Sequence, residues 1–128
     1  VVASGTVSGG VLGGLADPRL AKALTAMHEQ PRRSWSLDDL AEVAGMSRTR
    51  FATHFRACVG RTPMDYLTRW RMTLARELLA KGKPVKIVAG RVGYDSAAAF
   101  SRVFARVTGE APRQVAHASK KRDQPDNI

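Results

Sequence analysis

TPMDYLTRWRMTLARELLA, Thr62 to Ala80, is the stretch around which the chain is arranged, because the pattern that precedes it returns after it. Thr62 is placed to cap a helix with Pro63 at its first position, where a missing N–H costs nothing, and Asp65 three residues on completes a capping box. Gly82 is the stop signal. At roughly 100° per residue, Met64, Leu67, Trp70, Leu74, Ala75 and Leu78 form a stripe wide enough to pack on two neighbours. Arg71 interrupts that stripe, either as a structural arginine paired with a carboxylate or helix carbonyls or as a phosphate contact.

Working outward, Leu37, Leu40, Ala41, Ala44 and Gly45 match Val85, Val88, Ala89, Val92 and Gly93 at an offset of 48 residues. One extra residue then enters, and Phe51, Phe55, Gly60 and Pro63 match Phe100, Phe104, Gly109 and Pro112 at an offset of 49. Nine positions agreeing in chemical type with a single insertion describe one supersecondary unit present twice. Each unit reads as a short helix, a glycine turn and a longer helix. Alanine, then glycine four residues later, then a hydrophobic residue about six further on is the spacing of a helix-turn-helix. We therefore expect an all-α fold of about seven helices, forming two helix-turn-helix subdomains joined by a long central helix.

The 128 residues suffice for one ordinary domain or two very small ones sharing a helix. Formal charge is +10, from 21 Lys and Arg against 11 Asp and Glu, which favours a polyanionic partner, nucleic acid before an anionic membrane. Basic residues are spread over several helices rather than gathered on one amphipathic face, which weakens the membrane alternative. Cys58 is the single cysteine, so no internal disulfide forms; it falls in the apolar sector with Phe51 and Phe55 and is expected to be a buried core thiol. No apolar run approaches a membrane span and the amino-terminal segment lacks a basic signal-peptide region, so we expect a cytoplasmic protein without a membrane partner.

In chain order, the glycine-rich residues 1–16 read as a flexible leader, without the lysine and hydroxyl that a phosphate-cradling loop needs. Residues 17–61 form the first subdomain: Asp17 caps a helix with Pro18 at its first position, and Leu20, Ala23, Leu24 and Met27 line its inner face. His28, without a second ligand at helical spacing, is read as a surface or edge residue rather than a metal site. Ser36 with Asp39 opens the next helix, Gly45 turns the chain, and Ser47 caps the helix that follows. Residues 62–82 are the linking helix, 83–116 the second subdomain, and 117–128 have the composition of a mobile tail.

Helical geometry separates the faces of the two recognition helices. On the first, Phe51, Phe55, Cys58 and Val59 point to the core; Arg48, Thr49, Arg50 and Thr53 are the base-edge candidates, and Arg56 is a phosphate contact. His54 is placed at the packing edge. On the second, Ser96 or Asp95 is the cap, Phe100, Val103, Phe104 and Val107 face inward, and the outward set is Ala98, Ala99, Ser101, Arg102 and Arg106. Alanine cannot hydrogen-bond a base edge, so specificity is expected to be unequal between the two helices.

The segments LDDLAEVAGMSRTRFATHFRACVGRTPMDYLTRWRM and VAGRVGYDSAAAFSRVFARVTGEAP resemble the DNA-binding domain of the AraC/XylS transcriptional regulators over about Asp17 to Val115. The resemblance implies a single chain with two helix-turn-helix units on one long helix, binding double-stranded promoter DNA and commonly activating transcription by contact with RNA polymerase. A sensor domain, usually amino-terminal in that family, is absent from this sequence, so we expect either a fragment or regulation from elsewhere. Val115 stands where the family often has an aromatic residue, and Ile87 and Gly90 stand where polar residues or alanine are expected.

The reading is therefore a sequence-specific DNA-binding regulator, an activator, with two recognition helices in successive major grooves and a monomeric DNA-binding part. The alternative is a sequence-nonspecific nucleoid-type protein that uses charge alone. No cofactor, metal or enzymatic activity is expected, since Cys58 lacks a proton-relay or metal context and no Ser, His and Asp set recommends itself.

Overall fold

The computed structural model describes residues 13–123, with side chains described through Ala118. Among the described residues there are eight helical segments and no strand: α1 (Gly13–Leu15), α2 (Pro18–Glu29), α3 (Leu37–Ala44), α4 (Arg48–Val59), α5 (Pro63–Ala80), α6 (Val85–Arg91), α7 (Ala97–Thr108) and α8 (Pro112–Asp123). The fold is all-α, as the periodicity predicts.

Helix starts are set by short polar side chains. The Asp17 carboxylate accepts from the backbone N–H groups of Arg19 at 2.8 Å and Leu20 at 3.4 Å, satisfying two donors that the first turn of α2 leaves without an intrahelical partner. Ser36 and Asp39 form the reciprocal capping box at α3, at 3.0 Å in each direction. Thr62 Oγ1 accepts from Asp65 N at 3.2 Å at the head of α5.

The chain divides between Thr68 and Arg69, inside α5, into two units with separate cores. In the first, Leu20, Leu24 and Met27 of α2 pack with Leu40 and Ala44 of α3, Phe51, Phe55 and Val59 of α4, and Leu67. In the second, Met72, Ala75 and Leu79 pack with Val88 and Ala89 of α6, Phe100 and Phe104 of α7, and Val115 of α8. Each fully buried large apolar side chain contributes about 1.5–3 kcal/mol relative to exposure, so the two phenylalanines of each recognition helix are principal anchors. Val115 is 6% exposed and fills its place in the second core without an aromatic ring.

Three expectations need correction. The stripe proposed for α5 is not one stripe: Met64 is exposed, whereas Met72 and Leu79, left off it, are almost fully buried. Leu67 serves one core and Met72, Ala75 and Leu79 another, so a periodicity averaged over 18 residues blurs two registers. Second, the leader is not free to its end. Gly14 is buried in α1, where a Cβ would stand 2.5 Å from Leu24 Cδ1 and 2.9 Å from Val59 Cγ2, so the absent side chain permits this approach. Residues 1–12 lie outside the described residues. Third, the mobile tail placed from 117 is helical to Asp123; Gln114 Oε1 accepts from Ala111 N at 2.7 Å at the start of α8, and no glycine or proline interrupts residues 113–123. Residues 124–128 lie outside the described residues.

Candidate nucleic-acid interface

The sequence repeat is a repeat of hydrogen bonds. At the first turn Met46 N donates to Ala41 O at 3.0 Å and Gly45 N to Glu42 O at 3.0 Å; at the second Tyr94 N donates to Ala89 O at 2.9 Å and Gly93 N to Gly90 O at 3.2 Å. Both glycines lie in the left-handed region, with φ of 70° and 92°, which lets each turn close over the last carbonyls of the preceding helix. Ser47 Oγ then accepts from Arg50 N at 3.3 Å, and Ser96 Oγ from Ala99 N at 3.1 Å, so the open choice of cap on the second recognition helix falls to Ser96. Asp95 is the inserted residue and is exposed. Inside each unit the helix is pinned by two phenylalanines four residues apart, with ring centroids 5.6 Å apart for Phe51 and Phe55 and 5.5 Å for Phe100 and Phe104.

This pinning fixes what faces solvent. On α4, Arg48, Thr49, Arg50, Thr53 and Arg56 are all exposed. Thr53 and Arg56 also line a shallow hollow with Ala52, Ala57 and Thr62, a neighbourhood that helical periodicity of α4 alone does not reveal. On α7, Ala98, Arg102 and Arg106 are exposed, Ala99 and Ser101 are half-buried, and Ser96 stands exposed at the cap with its oxygen already accepting one bond. Ala97, half-buried in the first turn, belongs with this set and was not singled out in the sequence.

Neither recognition helix contains an acidic residue, so their outward faces carry only positive or neutral side chains. Arg48 Nε lies 3.7 Å from Asp38 Oδ1 with both side chains largely exposed, a pair that contributes little to stability. In the first unit Arg61 pairs with Asp65 at 3.1 Å, and in the second Arg76 with Glu110 at 2.7 Å. The Arg71 guanidinium carbon stands 5.9 Å from the Tyr94 ring centroid, a cation–π distance, which supports the structural reading of that residue.

Two tethers hold the first recognition helix and the start of α5 in place, and neither was read from the sequence. His54 Nε2 lies 2.6 Å from Asp17 Oδ2, joining α4 to the cap of α2; this bond, followed by that from the Arg19 backbone, holds the Asp17 carboxyl well below the usual carboxylate range. His28 Nε2 and Tyr66 Oη share a hydrogen bond of 2.6 Å, so of the two expected places, surface or edge, the half-buried His28 takes the edge, against α5. Burial lowers the His28 pKa and raises that of Tyr66. Cys58 is half-buried rather than buried, its Sγ 3.8 Å from His54 Nδ1 at the edge of the first core. Among the described residues no group of three His, Cys, Asp or Glu side chains is arranged to hold a metal ion, and no helix is long and apolar enough to cross a membrane.

Comparison with known proteins agrees with this geometry. A family described as "Helix-turn-helix domain" matches residues 40–118. A putative AraC-like transcription regulator of Streptomyces lividans is 48% identical over 104 residues, covering 80% of this chain and 34% of that protein. The RCS-specific HTH-type transcriptional activator RclR of Escherichia coli is 37% identical over 103 residues, covering 80% of this chain and 36% of its own length. The chain thus spans about a third of the length of these curated relatives. Among solved structures, the DNA-binding domain of the global transcriptional factor AdpA, in complex with a target DNA, is similar with a TM-score of 0.77 and 31% identity, over 84% of this chain and 96% of that one.

Proposed function

The chain belongs to the helix-turn-helix family of AraC/XylS-type transcription regulators, and from that premise we propose that it binds promoter DNA sequence-specifically, with α4 and α7 each entering a major groove. One observation carries the reading: the same capped turn, bond for bond, presents an acid-free helix face twice on a chain of net charge +10. The target DNA bound by the AdpA domain supports duplex DNA as the partner. Arg48, Thr49, Arg50 and Thr53 read base edges from α4, and Arg56 meets phosphate. On α7, Arg102 is the long reader, Arg106 meets the backbone, and Ser96, Ala98, Ala99 and Ser101 make the close surface.

We assign the finer role of activator, acting through contact with RNA polymerase in the cytoplasm; the name of RclR, a transcriptional activator, supports it. The chain acts on DNA as a monomer supplying two unlike readers, so its site is non-palindromic. The 18 residues of α5 rise about 27 Å at 1.5 Å each, and successive major grooves on one face of a duplex lie about 34 Å apart.

Selection of bound duplexes from a random pool tests the reading, and a promoter carrying the selected site then tests activation by transcription in vitro. A single asymmetric consensus with two patches about 10 base pairs apart, protected from hydroxyl radicals by one protein per duplex, is the expected result. If six to ten basic side chains meet phosphates, log K falls against log salt with a slope of roughly −5 to −9. Equal affinity for every duplex would leave a charge-only nucleoid protein, and a slope near zero would remove DNA altogether.

A further inference from the structure

We infer that α7 selects its patch of DNA through thymine methyl groups, while α4 selects by hydrogen bonding; this rests on the DNA-binding reading above and names the base chemistry that each helix takes. At the offset of 49 residues that relates the two helices, Arg48, Thr49 and Arg50 are replaced by Ala97, Ala98 and Ala99. The leading turn of α7 therefore presents three methyl groups and no polar side chain, where that of α4 presents two guanidinium groups and a threonine with one hydroxyl and one methyl. Ala98 is exposed, and Ala97 and Ala99 are half-buried on either side of it. At this end of the helix the cap Ser96 already accepts from Ala99 N at 3.1 Å, and Asp95, exposed before it, offers an acceptor and no donor.

In the major groove every base pair shows hydrogen-bonding groups, but only thymine adds a methyl. Pressing an alanine turn against donors and acceptors removes their water and returns no bond, which disfavours such bases. Pressing it against thymine methyls buries apolar surface on both sides. The absence of long side chains also lets the α7 backbone approach the base edges closely. Arg102 stands at the place of Thr53, so the arginines proposed to read bases sit on different turns, Arg48 and Arg50 on the first turn of α4 and Arg102 on the second of α7, while Arg56 and Arg106 lie on the third turns. A thymine-bearing step beside a guanine read by Arg102 is the patch this arrangement fits.

The test is a scan of the selected duplex in which each thymine in turn is replaced by uracil, which removes the methyl and leaves every hydrogen-bonding group in place. With the unaltered protein, one patch should contain thymines at which uracil weakens binding about fourfold each, the change expected for burial of one methyl group. In the other patch, under α4, the same replacement should have little effect. Ala98→Gly should bind more weakly to the thymine duplex and cease to distinguish it from the uracil duplex at the positions α7 covers. The inference is overturned if no thymine in the site responds to uracil, or if the response persists undiminished in both Ala98→Gly and Ala99→Gly. Because the scan itself needs no variant, it stands even if a substituted protein misfolds. Failure of the selection to yield any preferred duplex is a separate result, which removes the DNA-reading function and this inference with it.

Discussion

Gly45→Ala and Gly90→Ala add the same methyl group in equally open surroundings, since nothing lies within 4 Å of the Cβ at either position, yet they should move stability in opposite directions. Gly45 has φ of 70° and ψ of 34° at the end of α3, where a residue with a side chain pays about 1–2 kcal/mol for the left-handed conformation. Loss of glycine's freedom in the unfolded chain offsets about 0.4–1 kcal/mol of that. The net expectation is a destabilisation of about 1 kcal/mol, or about 5 °C in a unit of this size. Gly90 lies within α6 in ordinary helical conformation, where alanine is favoured over glycine by about 0.5–1 kcal/mol. Thermal unfolding followed by circular dichroism, with calorimetry to resolve the two units, measures both shifts. Gly45→Val should cost more than Gly45→Ala, because β-branching further resists positive φ. If the two alanine substitutions shift Tm in the same direction, backbone conformation is not what these glycines supply and the duplicated turn is wrongly drawn.

Two further outcomes follow. Arg50→Ala and Arg102→Ala should each lose about 1–3 kcal/mol on the selected site and relax choice at one or two base pairs, whereas Arg56→Ala should weaken all sequences alike and reduce the salt slope by about 1; quantitative binding to the selected and scrambled duplexes separates these patterns, and uniform weakening by the first pair would make them phosphate contacts. The His28 pKa is lowered by burial, so as pH falls through its ordinary value of 6.5 the unfolded chain takes up a proton before the folded one does. The stability tied to His28 is therefore complete above that value and is lost on acidification below it. Denaturant midpoints between pH 8 and 5.5 should fall in the unaltered protein and flatten in this range in His28→Gln; an equal fall in both would assign the effect elsewhere.

The parts of this fold written in local sequence were readable: caps at Asp17, Ser36, Ser47 and Thr62 each act within three residues, and the glycine turns announce themselves by repetition. Outward faces of α4 and α7 were readable for the same reason, since a phenylalanine pair at i and i+4 fixes the opposite side. What stayed hidden joins residues far apart in sequence. Asp17 meets His54 across 37 positions and His28 meets Tyr66 across 38, and no periodicity connects a single polar residue to a partner on another helix. The double register of α5 was hidden by averaging, and the buried place of Gly14 depends on Leu24 and Val59 arriving from two other helices.

The matching turns have a consequence for how such a protein acquires a new target. Every bond that shapes the two turns is made by main chain or by a capping serine, and the exposed side chains at positions 48, 49, 98 and 102 take no part in them. Surface substitutions away from caps and core ordinarily shift stability by no more than about 0.5 kcal/mol. On the proposed reading, substitution at these positions rewrites the message while the scaffold that carries it stays intact. With two copies, one address can be kept while the other drifts, and affinity retained by the first keeps intermediates functional. Arg-Thr-Arg on one copy and Ala-Ala-Ala on the other are, on the same reading, two vocabularies over a common grammar.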